Sequence, residues 1–427
     1  MKRPIAISLS PNTSKEDVRL AWYLLLVHMY WKDKRILSRV AEKVVKRFPG
    51  HFVSLTSSGR QALYDLLRSY GIKKGDEVIL QAFTCIAVPE PIIWAGATPV
   101  YADIKESSYS IDPEDVKKKI TPKTKVIIVQ HTFGIPGPIK EILAIAKEHN
   151  LVVIEDCAHA LGATYENQSL GTFGDAAIFS FGRDKCISSV FGGAVITKDK
   201  NRTRMLQEMQ SARPLPPKQW VAQQLFHVVL FSFVLPLYFW HGVGKAILVI
   251  AQKLHLISRA VAFEERVGKR PVHMEYSYSP ALGLLLIKQL DKLDDMTKRR
   301  CEIAARYQKE LSPTPRQSGG QASSSPFVRR RERDSSPSWL RFPVLVENPQ
   351  GIILDAREQD MLLGDWYDAP LVPASSSLIA FGYNIGSCPR AEEAARTTIN
   401  LPTYATLTDT QVTKVITFMN HYGNTEN

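Results

Sequence analysis

The chain has little cysteine: five residues in 427 (Cys85, Cys157, Cys186, Cys301 and Cys388), an odd number, widely scattered and without a CxxC pair. That argues against a disulfide framework or a zinc site as the organising device and points to a reducing cytoplasm. Acidic residues are also in deficit, 42 Asp and Glu against 54 Lys and Arg, for a net charge of +12. The balance favours an anionic partner, whether a phosphorylated substrate, a membrane surface or nucleic acid, without choosing among them. No small-residue cleavage signal follows the apolar stretch at 21–31, so the N-terminus does not read as a signal peptide. No tandem repeat is found. With 44% hydrophobic and 22% charged residues, the composition is that of a globular chain long enough for two domains.

From residue 53 to 197, short β-branched runs alternate with helical patterns: VIL at 78–80, TPVYADI at 98–104, KVIIVQ at 125–130, LVVIED at 151–156, AAIFSF at 176–181 and GAVIT at 193–197. Between them, IKEILAIAKEHN at 139–150 repeats apolar residues at three and four. This rhythm predicts an α/β fold with a mostly parallel, helix-covered sheet, whose ligands collect beyond the carboxyl ends of the strands. Residues 1–50 read as an amphipathic helical segment, the stretch at 21–31 continuing through KRILSRVAEKVVKRF. A large domain is expected over 51–212, an apolar insertion over 213–274, and a connecting helix with a smaller C-terminal α+β domain over 275–427. Within the last, residues 312–338 are rich in Ser, Pro and Gly with an Arg cluster at 329–331, a solvated insertion by composition.

Four pieces with chemistry follow one another. TSSGRQAL at 56–63 puts Ser58, Gly59 and Arg60 at a helix start, where backbone N–H groups and the helix dipole suit a phosphate. EDCAHALGA ends a strand with Asp156 and places His159 three residues on. Ser180 ends the next strand-like run, and Lys185 follows in FSFGRDKCISSVFGGAV. An amine at the edge of a core asks for a partner or a covalent use. Singly, these are an ordinary N-cap, a strand-end carboxylate and a loop lysine. Together they fit pyridoxal 5'-phosphate: the lysine forms the Schiff base, the carboxylate keeps the pyridine nitrogen protonated, and the Gly-Ser turn holds the phosphate.

With GDEVILQAFTCIAVPEPIIWAGATPVYADI, VQHTFG, GTFGDAAIFSF and FGGAVIT, these segments resemble the DegT/DnrJ/EryC1/StrS family of pyridoxal-phosphate sugar aminotransferases. The resemblance resumes in QLDKLDDMTKRRCEIAARY and in CPRAEEAARTTINLPTYATLTDTQV. It implies a fold-type-I transferase, a homodimer with active sites between its subunits, an amino donor that is usually glutamate, and a keto-sugar nucleotide as acceptor. Position by position, Lys185 is similar to the Schiff-base lysine, Asp156 to the partner of the pyridinium nitrogen, and His159 to the residue near the phenolic oxygen. Gly59, the backbone of Arg60 and Ser180 match phosphate-binding positions, and Ser58 belongs to the same turn. The Arg60 side chain, where the family often has threonine, is expected to add a direct charge contact.

Three departures stand out. The family usually writes SFHxxKN around its lysine, whereas Asp184 precedes Lys185 here. Pointing inward, that carboxylate would raise the lysine pKa; pointing outward, it would matter little. Cys85 stands where the family often has an aromatic ring, with Phe83 expected in a strand on the same face. Residues 274–278 offer no clear counterpart to the asparagine that the neighbouring subunit supplies.

The uncharged span 219–244 lies outside the family pattern. As one helix, 225–240 would be about 24 Å long at roughly 1.5 Å per residue, short of a ~30 Å hydrocarbon core. Pro236, Gly242 and Gly244 also oppose a straight span. Trp220, Tyr238 and Trp240 near its ends, with Lys218, Lys245 and Lys253 outside, read as a segment dipping into one leaflet from the cytoplasmic face. A hydrophobic arm buried at the dimer interface is the alternative. The expected acceptor is therefore a keto-sugar linked to a nucleotide or, where the arm meets membrane, to a lipid; nucleic acid is not an expected partner. The rival readings are a non-catalytic membrane-associated or regulatory descendant, and a sugar dehydratase, an activity that the family associates with loss of the lysine this chain keeps.

Overall fold

A computed structural model describes residues 4–105, 108–259, 261–311 and 335–424. The Arg cluster at 329–331 and most of the low-complexity span lie outside the described residues. The central sheet contains β1 (Phe52–Thr56), β2 (Glu77–Gln81), β3 (Thr98–Ala102), β4 (Thr124–Gln130), β5 (Val152–Asp156), β6 (Ala176–Ser180) and β7 (Gly193–Thr197). Their spatial order is β1-β7-β6-β5-β4-β2-β3, and only β7 runs antiparallel to its neighbours. The six expected strands all lie in this sheet, as the mainly parallel α/β reading requires.

The strands read as near-continuous apolar runs because both faces are covered. Ile79, Ile127, Val129 and Val153 cluster with Ile139, Ile142 and Ile145 of one helix, while Val78, Leu80, Val126 and Ile128 cluster with Ala62, Leu63 and Leu66 of another. Adjacent residues face opposite layers, which is the period-two geometry of a strand.

In place of one long N-terminal helix there are two, α1 (Lys15–Leu26) and α2 (Arg35–Val45), parted by a tight turn at His28–Trp31. Trp31 accounts for the break. Its indole N–H donates to Leu24 O at 2.8 Å, which folds the ring back to be buried against α1. Asp33 Oδ1 then accepts the N–H of Arg35 at 3.1 Å where α2 begins. The covering helices continue as α3 (Gly59–Ser69), α4 (Pro89–Trp94), α5 (Pro113–Lys119), α6 (Ile139–His149) and α7 (Lys200–Ser211).

The apolar segment forms a hairpin of α8 (Lys218–Val234) and α9 (Val243–Lys253). Val221, Leu225, Val228 and Val229 are buried with Ala21 and Leu24 of α1 and with Leu285 of α10 (Pro280–Asp291). The chain turns at Leu235–Leu237, where Pro236 ends the α-helical ladder. Gly244 lets the hairpin close, since a Cβ there would lie 2.6 Å from Tyr238 Cα. The straight span is thus broken where the sequence suggested. Lys218–Leu237 is by length and composition apolar enough to cross a membrane, yet half of it is buried inside the protein. Farther along the hairpin Phe233, Trp240, Ile250 and Leu254 are exposed.

After α11 (Leu293–Glu310), β8 (Phe342–Leu345) and β9 (Thr398–Leu401) pair antiparallel. They are accompanied by α12 (Pro349–Glu358), α13 (Pro389–Thr397) and α14 (Asp409–Asn424).

Candidate active site

The C-terminal ends of the parallel strands bring the first residues together. Asp156 closes β5 and stands in register with Gln130 on β4 and Ile178 on β6, two residues before Ser180. Its Oδ1 accepts the N–H of Ala158 at 3.0 Å. Burial raises the Asp156 pKa, opposed by that hydrogen bond and by the charge of Lys185. Glu155, on the other face of the strand, has a separate job. It accepts N–H groups of Gly171, Phe173 and Gly174, each at 2.8 Å, and meets His131 Nε2 at 3.1 Å, so it clamps the loop entering β6.

The loop after β6 is fixed on every side. Asn12 Nδ2 donates to the carbonyl of Lys185 at 2.7 Å, and the fully buried Arg300 of α11 donates to Cys186 O and, at 3.2 Å, to Asn12 Oδ1. Arg183 Nη1 donates to Ser258 O at 2.6 Å, and its other terminal nitrogen donates to Gln224 Oε1 on α8 at 3.4 Å and to Ser258 Oγ. Asp184 turns away: its Oδ1 accepts the N–H of Ser10 at 3.1 Å. The outward alternative for this carboxylate is the one found. Burial lowers the pKa of Lys185, opposed by Cys85 and Asp156, which favours the neutral, nucleophilic amine.

Helix α3 starts directly against these strand ends. Ser58 Oγ caps it by accepting the N–H of Gln61 at 3.1 Å and lies 3.3 Å from Met274 Sδ. A Cβ on Gly59 would stand 2.9 Å from Ser180 Cβ, and one on Gly193 would stand 2.5 Å from Ser58 C. Only residues without side chains allow this approach, which sets the Ser180 hydroxyl beside the first turn of α3. The Arg60 side chain takes another direction from the one expected. Its guanidinium meets Glu265, carried by the segment after the hairpin, and lies 3.8 Å from Glu90 of α4. The two buried carboxylates draw it off the direct phosphate contact and leave its backbone in the first turn. Burial pushes the Glu90 carboxyl up to about 8, with Arg60 opposing.

His159 is held between rings. Its plane lies 10° from that of Phe133 and 14° from that of Trp366, with centroids 6.4 and 5.6 Å away. Its Nδ1 accepts the N–H of Phe133 at 3.3 Å, which leaves the proton of the neutral ring on Nε2. Burial, with Lys185 and Arg341 adding to it, holds its pKa well below the usual imidazole value. Phe83 is not in a strand: it occupies a turn with φ of 61° and packs on Tyr109, Phe133 and Tyr367. The aromatic ring beside the amine belongs to Trp366, whose centre lies 5.4 Å from Lys185 Nζ. Cys85 sits in a two-residue strand paired with Leu371–Val372, and burial raises its thiol pKa.

Trp366, Tyr367, Arg341, Asn12 and Arg300 escaped the sequence reading. Arg341 alone left a signal, a cation between Leu340 and Phe342 in an otherwise apolar run.

The arrangement fits pyridoxal phosphate. A buried carboxylate ends the central strand, a half-buried amine follows, and the Gly59 backbone comes so close to Ser180 that a Cβ there would collide with it, which suits an anion at the first turn of α3.

The sequence model described as the DegT/DnrJ/EryC1/StrS aminotransferase family matches residues 38–222 and 251–420, passing over the middle of the hairpin. The spore coat polysaccharide biosynthesis protein SpsC of Bacillus subtilis (strain 168) is 30% identical over 398 residues, covering 90% of this chain and 89% of that protein. A GDP-perosamine synthase of Escherichia coli O157:H7 is 27% identical over 376 residues, 87% of this chain and 85% of its own length. Among solved structures, Helicobacter pylori PseC, an aminotransferase involved in the biosynthesis of pseudoaminic acid, superposes with a TM-score of 0.73 at 21% identity, over 98% of this chain and 99% of that one. That likeness bears on the fold.

Proposed function

The chain belongs to the DegT/DnrJ/EryC1/StrS aminotransferase family and is a pyridoxal-phosphate-dependent aminotransferase, and on that premise we propose that it moves an amino group from glutamate to a nucleotide-linked keto-sugar, with Lys185 as the catalytic amine. The observation that carries this reading is that the half-buried Lys185 amine and the buried Asp156 carboxylate stand within electrostatic reach of each other at the strand ends, beside the first turn of α3.

Asp156 would hold a proton on the ring nitrogen, the first turn of α3 with Ser58, Gly59, Arg60 N and Ser180 would hold the phosphate, and His159 Nε2–H would serve the phenolic oxygen. When bound, the cofactor supplies an electron sink for the carbon that loses its proton. Lys185, whose pKa burial lowers, would take that proton from the donor carbon and return one to the sugar carbon. Asn12 holds its carbonyl and Arg300 that of the next residue, Cys186, so the amine swings from a fixed base.

The name of the E. coli relative, a GDP-sugar synthase, supports a nucleotide carrier, and that of the B. subtilis relative supports a place in polysaccharide biosynthesis. A homodimer is part of the proposal. So is peripheral contact with the cytoplasmic face of a membrane, supported by exposed Phe233, Trp240, Ile250 and Leu254 near Lys245 and Lys253. A lipid-linked acceptor is the variant to be tried if the protein is found on membranes.

The purified protein should carry a visible absorption band that L-glutamate discharges and a keto-sugar nucleotide restores. A protein that binds no cofactor would instead be a non-catalytic descendant.

A further inference from the structure

Arg341 shares a ring with Lys185. Its guanidinium lies 3.4 Å from the centre of the Trp366 indole, and the Lys185 amine lies 5.4 Å from the same centre. The residue is only 2% exposed. Among the described residues its guanidinium makes one hydrogen bond, Nη1 to Asn400 Oδ1 at 3.4 Å, and no ion pair. A guanidinium has five N–H donors, so a single long bond leaves a buried cation short of acceptors. Among the described residues the buried amide Nδ2 of Asn400 has no acceptor either. The carboxylate of Asp184 is turned to Ser10. Two sets of unused donors thus stand together near the catalytic amine.

We propose that Arg341, with Asn400, binds the α-carboxylate of the amino donor. This rests on the reading of the chain as an amino-acid-dependent aminotransferase. The choice of anion follows from bonding. In an amino acid the carboxylate is attached to the carbon that carries the reacting nitrogen, so its cation must stand close to the amine. In a sugar nucleotide the diphosphate is separated from the aminated carbon by the sugar ring, and its cations belong farther out. A planar guanidinium offers two parallel N–H groups to the two oxygens of a carboxylate, and stacking on Trp366 fixes that plane.

The test uses cofactor-loaded protein and follows the visible band while L-glutamate or 4-aminobutyrate, which lacks the α-carboxylate, is added. Wild type should require far less glutamate than 4-aminobutyrate for half-conversion. Arg341→Gln should raise the half-saturating glutamate concentration by about tenfold to a hundredfold, the loss of a charge-assisted contact, while 4-aminobutyrate changes little. Arg341→Lys, which keeps the charge and fits a packed site more gently, should fall between. Unaltered starting spectrum and melting temperature separate this from a folding defect. If wild type is not converted by amino acids, the aminotransferase reading fails; if it is, and both Arg341 variants keep the wild-type glutamate preference, the assignment of Arg341 is overturned while that reading stands.

Discussion

Asp184 accepts the backbone N–H of Ser10 at 3.1 Å, and so a carboxylate adjacent in sequence to Lys185, the amine proposed to be catalytic, serves to hold down the N-terminal segment. Asp184→Asn is therefore expected to leave the pH midpoint of the visible band within about half a unit of wild type, because the charge is not directed at Lys185. A spectrophotometric pH titration checks this. A downward move of a full unit would place the carboxylate in the site after all.

The approach of Gly59 to Ser180 makes a second prediction. A Cβ at 2.9 Å from Ser180 Cβ must push α3 off the strand ends. Gly59→Ala should cost about 1–3 kcal/mol of stability, as overpacking does, and weaken cofactor binding by roughly tenfold or more. Thermal melting and cofactor titration measure the two effects separately. Normal affinity in a folded variant would remove this turn from the phosphate site.

Glu90 gives a pH dependence. The folded protein keeps its carboxyl proton up to about pH 8, because burial disfavours the charge, while the unfolded chain releases it near the ordinary value of 4.5. Stability from this group is present below about 4.5 and is lost as pH rises towards 8, an effect on the order of a few kcal/mol. The melting temperature should fall across that window, and Glu90→Gln should flatten the fall. Equal slopes in both proteins would mean that Arg60 keeps Glu90 ionised.

Much of this site was legible in sequence because its parts are local. Asp156 and Ser180 end strands whose apolar runs are unmistakable, and Gly59 opens a helix just after one. Lys185 lies a short loop beyond. The remainder depends on chain distant in sequence. Asn12 and Arg300 reach Lys185 and Cys186 across 173 and 114 residues, and Trp366 comes from a loop with no periodic pattern. The direction of Arg60 was lost for the same reason: Glu265 is distant in sequence, beyond the hairpin whose middle the family pattern passes over. The break between α1 and α2 turns on one indole folding back, which apolar spacing does not encode.

The hairpin cannot simply be removed to test membrane contact. Gln224 on α8 and Ser258 after α9 both hold Arg183, two residues from Lys185, and α8 packs on α1 and α10. Substitution of exposed residues is the cleaner probe. Phe233→Ser with Trp240→Ser and Ile250→Ser should abolish flotation with anionic vesicles and keep the visible band. Charge reversal at Lys245 and Lys253 should weaken flotation, each basic residue near the surface being worth about 1 kcal/mol. A wild type that ignores vesicles contradicts the contact.

The most direct measurement is borohydride reduction of the cofactor-loaded protein, followed by digestion and mass mapping of the modified peptide. The account predicts a pyridoxyl group on Lys185 alone, and no modification of that peptide in Lys185→Ala. A pyridoxyl group on another lysine, or none at all, would contradict it.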